Sequence, residues 1–131
     1  MKSLIIEDDY ITAHVMQEIM QSFGESDIAE DGKAGLEKFI SSLNSKESYN
    51  VIFLDIMMPE MDGQQVLAAI REEESKRNIA GLESVKIVMT TALSDFDNVK
   101  QAFKNQCEGY IVKPIDKDKV IKKLVDLELV Y

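Results

Sequence analysis

The stretch NVIFLDIMMPEMDG, residues 50–63, has the pattern of a buried strand that ends in a charge. An unbroken apolar run, 51–54, stops at the carboxylate of Asp55, and two methionines, a proline and an Asp-Gly turn follow. Continuous apolar runs are typical of strands buried on both faces of a parallel sheet. Because a charge at the end of such a strand is costly unless something pairs with it, either Asp55 is a stray loop residue or a site is built around it.

Four other apolar runs alternate with amphipathic segments on either side of this stretch. The runs lie at 3–7, 26–30, 85–90 and 109–113, and we predict a strand at each. Helices are predicted at 11–23, 33–43 and 64–75, then from an N-cap at Ser94 with its partner Asp97, and from a cap at Asp116. This alternation predicts right-handed crossovers and one parallel sheet, an α/β fold. We expect a single domain over residues 1–131 and no chemistry in the polar connections 41–49 and 74–84.

The apolar spacing within two of these helices predicts which side chains meet the sheet. In the first helix they are Ile11, Val15, Ile19, Met20 and Phe23. In the fourth helix they are Phe96, Val99, Ala102 and Phe103. His14 falls off the apolar face of the first helix, so we expect it at the surface.

The composition argues against several classes of protein. The 131-residue chain is 45% hydrophobic, enough to bury a core, and its net charge of −9 argues against nucleic-acid binding by this chain alone. No apolar run approaches the roughly 18 residues of a membrane span, and the N-terminus lacks the roughly 7–15 apolar residues of a signal peptide, so we expect a cytoplasmic protein. Cys107 is the sole cysteine, which excludes an internal disulfide, and we expect a buried, idle thiol.

Charged and hydroxyl side chains stand at the ends of four predicted strands. Glu7 and Asp8 follow the first, Asp55 ends the third, Thr91 follows the fourth and Lys113 ends the fifth. Ligands of an open parallel sheet bind beyond the carboxyl ends of its strands, where the strand order reverses. We therefore expect these side chains to meet at one edge. Each has a simpler interpretation when taken alone; Asp9, for example, is a candidate helix cap.

The residue types at this edge suit phosphoryl transfer. Carboxylates held close together raise one another's pKa, and a hard cation such as Mg²⁺, which prefers oxygen ligands, would relieve that repulsion. A carboxylate beside a bound cation can attack a phosphoryl group to form an acyl phosphate. The transferred group carries negative charge, so the ammonium of Lys113 and the hydroxyl of Thr91 would stabilise it. The residues thus predict an aspartate that accepts phosphate.

Five motifs at these positions resemble the receiver domain of two-component response regulators, of the CheY-like kind. They are IIEDD, AEDGKAGLEKF, VIFLDIMMPEMDG, IVMTTAL and GYIVKPI, and together they span nearly the whole chain. The resemblance implies a flavodoxin-like, doubly wound (βα)5 fold whose parallel strands are in the order 2-1-3-4-5. It also implies a protein that is a phosphoacceptor rather than an enzyme.

The resemblance assigns a role to each site residue, position by position. It implies that Asp55 is the phosphoacceptor and that Mg²⁺ is bound by Asp8 and Asp55 directly, by Glu7 through water, and by the backbone carbonyl of Met57. Lys113 would pair with the phosphoryl oxygens. Thr91 would be the switch hydroxyl, Ala92 would leave room for the phosphate, and Tyr110 would be the switch aromatic. The Lys113–Pro114 peptide would be cis, and Gly63 would permit the turn after the phosphorylation loop.

Two positions that tune phosphate loss in this family carry apolar side chains here. Met57 lies two residues past Asp55, and Leu93 lies two residues past Thr91. Neither side chain can orient a water molecule through a polar group. Our hypothesis is that the chain dephosphorylates itself slowly.

The resemblance also implies partners. A sensor histidine kinase or a phosphotransfer protein would supply the phosphoryl group, and a downstream protein would contact the face formed by the fourth and fifth helices and the last strand. A phosphorylation-dependent homodimer is open, and neither nucleic acid nor membrane is expected. The chain would be a stand-alone receiver or a piece of a larger regulator.

Several other functions were weighed on the same residues. A phosphatase of the haloacid dehalogenase type needs a second acid two residues past its nucleophile, where this chain has Met57. A dinucleotide-binding domain needs G-x-G-x-x-G after the first strand, where this chain has EDDYIT, and an EF-hand needs a D-x-D-x-D-G spacing that the sequence lacks. A receiver-like module that works without phosphate stays open as the alternative, although no acid or lysine of the expected set is missing.

Overall fold

The computed structural model describes residues 1–92 and 97–130. Within them the strands are β1 (Ser3–Ile6), β2 (Ser26–Ala29), β3 (Val51–Asp55), β4 (Lys86–Thr91) and β5 (Gly109–Val112). The helices are α1 (Tyr10–Met20), α2 (Gly32–Leu43), α3 (Gly63–Lys76), α4, described over Asp97–Lys104, and α5 (Lys117–Asp126), with a short 3₁₀ helix at Gly81–Glu83. Strands and helices alternate as predicted.

The five strands form one sheet in the order β2-β1-β3-β4-β5, and every neighbouring pair is parallel. This confirms the predicted flavodoxin-like topology. The chain builds outward from β1 in one direction to β2 and in the other from β3 to β5, so the strand order reverses between β1 and β3. Ile6, the last residue of β1, is paired in register with Leu54, the residue before the end of β3. The crevice for a ligand is therefore expected beyond them.

Two apolar layers cover the sheet, one on each face. Ile52 and Leu54 point into the layer formed with α2, α3 and α4, whereas Val51 and Phe53 point into the layer formed with α1 and α5. All four side chains are fully buried. Burial on both faces explains why the run 51–54 is continuously apolar.

Aspartates begin four of the helices. The side chains of Asp9, Asp31, Asp62 and Asp116 each accept a hydrogen bond from the backbone N–H three residues on, and Asp62 forms a capping box with Gln65. The caps at Asp9 and Asp116 agree with the sequence interpretation. The cap predicted at Ser94 lies outside the described residues. None of the described helices is long and apolar enough to cross a membrane.

The predicted inner faces of two helices need correction. The helix α1 buries Ala13, Met16 and Met20 and ends at Met20, while Ile11 and Val15 are exposed by 71% and 38%. Ile11 stands in the first turn, at the carboxyl edge of the sheet, and Val15 lies on a different side of the helix from the buried Ala13 and Met16, so the stripe that meets the sheet is not the one that the large residues suggested. His14 is exposed, as predicted.

In α4, Val99 and Ala102 are buried as predicted, but the side chain of Phe103 is 45% exposed. The ring of Phe103 packs edge-on against Tyr110 instead of entering the core, with the ring centroids 6.2 Å apart. Phe96, predicted on the same face, lies outside the described residues.

Candidate functional site

Three carboxylates meet at the point where the strand order reverses. Asp55 is the last residue of β3, and Glu7 and Asp8 directly follow β1. Their carboxylate oxygens can all lie within 4.8 Å of one another, with Glu7 and Asp55 buried and Asp8 exposed. The convergence expected from the sequence is therefore present in the structure.

The ammonium of Lys113 completes the cluster from β5. Its Nζ lies 2.8 Å from Glu7 Oε1 and 3.3 Å from Asp55 Oδ1. The backbone N–H of Lys113 donates to the Thr91 carbonyl over 2.7 Å, so the end of β5 is tied to the end of β4. The Lys113–Pro114 peptide is cis, as the resemblance implied.

Two buried carboxyl groups, those of Glu7 and Asp55, share the single ammonium of Lys113. Burial, followed by the neighbouring carboxyl of Glu7, raises the pKa of Asp55 to about 8, and Lys113 only partly opposes this shift. Burial pulls the pKa of Lys113 down, but the Glu7 and Asp55 carboxylates outweigh it, so that pKa lies above its usual value. Without a cation, Asp55 therefore holds its proton near neutral pH.

One buried oxygen at the site is poorly partnered. Glu7 Oε1 accepts no well-directed hydrogen bond from the described part of the chain, although it is an ion-pair distance from Lys113. A buried carboxylate oxygen with no well-directed hydrogen bond, beside two further carboxyl groups, belongs to a donor set suited to a hard divalent cation. The residues therefore fit the predicted Mg²⁺, with Glu7, Asp8 and Asp55 as the side chains that could hold it.

The loop after β3 is folded tightly around Asp55. The N–H of Met57 donates to Asp55 Oδ1 over 3.3 Å, and the N–H of Gly63 donates to the Ile56 carbonyl over 2.9 Å. A Cβ on Gly63 would lie 2.2 Å from the Asp55 carbonyl oxygen. Gly63 is thus required for close approach of two backbone segments and not for a left-handed turn.

The side chain of Met57 stands at the mouth of the site and is 54% exposed. Its sulfur lies 3.9 Å from Asn98 Nδ2 at the start of α4. The methionine therefore connects the loop after Asp55 to α4. Its carbonyl as a metal ligand stays a prediction, and Leu93, the other residue in the dephosphorylation hypothesis, lies outside the described residues.

The two predicted switch residues lie on neighbouring strands, Thr91 at the end of β4 and Tyr110 within β5. Thr91 is buried and its hydroxyl donates to the Ala92 carbonyl over 3.0 Å. Tyr110 is partly exposed on β5, between Phe103 and Lys123, whose Nζ is 5.8 Å from the centre of the tyrosine ring. Their switching roles stay predictions.

One contact at this edge was not predicted. The Nζ of Lys119, in the first turn of α5, donates to the carbonyls of Val112 and Pro114 over 3.1 and 3.0 Å. These carbonyls lie on either side of Lys113. The sequence signals only that Lys119 follows the Asp116 cap by three residues, because the contact depends on the path of the loop.

Cys107 lies away from the site and is buried, as expected. Burial and the nearby Glu108 raise the pKa of its thiol to about 11. At neutral pH the thiol is protonated and poorly nucleophilic.

Comparisons with known proteins agree with this geometry. The family described as Response regulator receiver domain matches residues 3–125. The hybrid signal transduction histidine kinase L of Dictyostelium discoideum is 36% identical over 126 residues, which cover 93% of this chain but only 7% of that protein. The chemotaxis protein CheY of Treponema pallidum is 29% identical over 126 residues, which cover 95% of this chain and 80% of that protein.

A solved structure is similar over nearly the full chain. The CheX-CheY-BeF3-Mg+2 complex from Borrelia burgdorferi superposes with a TM-score of 0.82 at 27% identity. The match covers 99% of this chain and 90% of that chain. That complex contains Mg²⁺.

Proposed function

Because this chain belongs to the response regulator receiver domain family, we propose that it is a signalling switch that accepts a phosphoryl group on Asp55. Receiver domains are phosphoacceptor modules, and this chain is one of them. The observation that carries the proposal is the buried carboxylate of Asp55, 3.3 Å from the Lys113 ammonium and grouped with two further carboxylates. A histidine kinase or a phosphotransfer protein would be the donor.

In this reaction an oxygen of the ionised Asp55 carboxylate attacks phosphorus. The new O–P bond forms as the bond to the donor breaks, and the donor leaves with the electron pair. Asp55 must be ionised to attack, whereas burial and Glu7 hold its pKa at about 8 without a cation. Binding of a cation among Glu7, Asp8 and Asp55 would therefore favour the reactive form of the carboxylate.

Mg²⁺, when bound, would offset the carboxylate charge and draw negative charge from the phosphoryl oxygens. Lys113, which now pairs with Glu7 and Asp55, would pair its ammonium with the phosphoryl oxygens. Thr91 would turn its hydroxyl from the Ala92 carbonyl toward the phosphate. Each of these groups stabilises charge where it develops.

The signal would leave through the surface formed by α4, β5 and α5, where Tyr110 is partly exposed. A charge event at one end of a two-state surface is sufficient to bias its conformation. The partners would be a histidine kinase or phosphotransfer protein on one side and a downstream protein on the other. We also propose that residues 1–131 form one receiver domain, either acting alone or within a longer regulator, since the chain spans 7% of the Dictyostelium kinase.

Labelling with a small phosphodonor tests the proposal. Incubation with acetyl phosphate and Mg²⁺ is expected to add one phosphoryl group, measured by intact mass, and Asp55→Asn is expected to prevent the addition. The control is Asp62→Asn, which changes a partly exposed carboxylate in the helix cap of α3 and should leave labelling intact. Equal labelling of Asp55→Asn and the unmodified sequence would overturn the proposal.

A further inference from the structure

The position of the Lys113 ammonium depends on the backbone where β5 passes into α5. On one side this backbone is tied to the sheet, because the Lys113 N–H donates to the Thr91 carbonyl over 2.7 Å. On the other side stands Pro114, which has no N–H to donate. The turn after Lys113 must therefore be held through its carbonyl groups.

Lys119 holds these carbonyls. Its Nζ donates to the Val112 carbonyl over 3.1 Å and to the Pro114 carbonyl over 3.0 Å. The two acceptors belong to the residues immediately before and after Lys113. Hydrogen bonds from a charged donor are stronger than neutral ones, so a single ammonium closes the chain around Lys113.

The base of Lys119 is fixed as well. Its backbone N–H donates over 2.8 Å to Oδ1 of Asp116, the N-cap residue of α5. Two contacts therefore hold the loop: the Asp116 side chain binds the helix backbone, and the Lys119 side chain binds the two loop carbonyls. Both contacts keep the first turn of α5 against the end of β5.

We propose that Lys119 is a positioning residue for Lys113. By fixing the two flanking carbonyls it sets the direction of the Lys113 side chain, whose Nζ lies 2.8 Å from Glu7 and 3.3 Å from Asp55. The inference rests on the proposed function, because Lys113 matters here as the group that meets the transferred phosphoryl. Lys119 itself touches neither the phosphoryl group nor Asp55 in this assignment.

Lys119→Met tests the assignment, because methionine keeps a long, flexible side chain and removes the donor. A misplacement of about 1 Å can cost up to about 100-fold in rate. For an exposed lysine that only steadies the backbone, we expect phosphoryl uptake from acetyl phosphate to slow about three- to ten-fold. Lys119→Arg should restore uptake to within about two-fold of the original rate, since a guanidinium can donate to both carbonyls.

Lys117→Met is the matched control. Lys117 is an exposed lysine of the same helix, and its side chain makes no hydrogen bond with the described residues. This variant therefore removes the same charge without releasing the loop. Uptake by Lys117→Met should be unchanged, and all three variants should melt at similar temperatures. The assignment is overturned if Lys117→Met slows uptake as much as Lys119→Met, or if Lys119→Arg does not restore it.

Asp55→Asn separates this inference from the proposed function. If Asp55→Asn takes no phosphate while Lys119→Met takes it at the original rate, only the role of Lys119 fails. If Asp55→Asn is labelled like the original protein, the phosphoacceptor is elsewhere and both conclusions fail.

Discussion

At the scale of single residues, Met57 bears on how long a phosphoryl group would stay on Asp55. Its side chain is 54% exposed at the mouth of the site, so it stands where water would approach the acyl phosphate. A thioether is at most a weak hydrogen-bond acceptor and donates no proton, so it orients water poorly. The side chain of Asn98 lies 3.9 Å from its sulfur.

We therefore expect Met57→Asn to shorten the half-life of the phosphorylated protein, and Met57→Asn/Leu93→Glu to shorten it further. An amide or a carboxylate can hold a water molecule in line for attack on phosphorus. We expect this positioning to speed the loss of phosphate about ten-fold, a modest part of what proximity can supply. The loss of the phosphoryl mass is followed over time after the donor is removed. Met57→Leu is the control and should keep the original half-life; a double variant as slow as this control would contradict the hypothesis.

At the scale of elements, Arg71 of α3 joins three segments at the end of the sheet away from the site. Its guanidinium lies 2.6 Å from Glu74 Oε1 and 2.7 Å from Glu108 Oε1, and it also donates to the carbonyls of Val85 and Gln106 over 3.0 Å each. Glu74 is buried, and its other oxygen accepts the Val85 N–H over 2.9 Å. The group anchors the start of β4 and the connection from α4 to β5 onto α3.

Arg71→Met is expected to destabilise the protein by about 3 kcal/mol, because it leaves two poorly solvated carboxylates without their cation. Arg77→Met is the control: Arg77 pairs with Glu73 over 3.0 Å in a more exposed position on the same helix, where an ion pair contributes about 0–1 kcal/mol. Urea unfolding at neutral pH measures both. Similar losses for the two variants would show that the Arg71 group is no more than a surface pair.

The same elements show how far the sequence predicts the structure. The alternation of apolar runs and amphipathic segments predicted every strand, and the signal was strongest where burial on both faces leaves a continuous apolar run such as 51–54. The inner face of α1 was predicted wrongly, since Ile11 is large and apolar but stands beyond the edge of the sheet. The periodicity of apolar residues predicts the faces of a helix. Which residues of a face contact the sheet depends on where the helix lies in the fold.

At the site, the sequence predicted the residue types and the edge where they meet, because parallel topology brings the strand ends together. It could not predict the Lys119 contact, which depends on the backbone path around Pro114. Nor could it predict the network around Arg71, because Glu108 is distant in sequence and becomes a partner only when β5 lies beside β4. Contacts that depend on loop paths leave no periodic signal.

At the scale of the whole molecule, the site is expected to lower stability in the absence of a cation. Burial and Glu7 raise the pKa of Asp55 from 3.8 to about 8, so the folded protein holds a proton there that the unfolded chain releases. A group with a raised folded-state pKa contributes stability that is fully present below its unfolded pKa and is lost as pH rises through the folded one. From about pH 4 to pH 8, this site therefore costs the protein stability as the pH increases.

Asp55→Asn removes that titration, so in the presence of a chelator it should be more stable than the original protein at pH 8, by about 2 kcal/mol. The difference should shrink toward pH 5, where the buried carboxyl is already protonated. The two proteins have every other titrating group in common. The pH dependence of the difference between their free energies of unfolding therefore reports on Asp55 and on the groups coupled to it. Urea unfolding at the two pH values measures it, and Mg²⁺ at pH 8 should stabilise the original protein more than Asp55→Asn. A difference that stays constant from pH 5 to pH 8 would mean that Asp55 titrates near its ordinary value, with Lys113 neutralising it unaided.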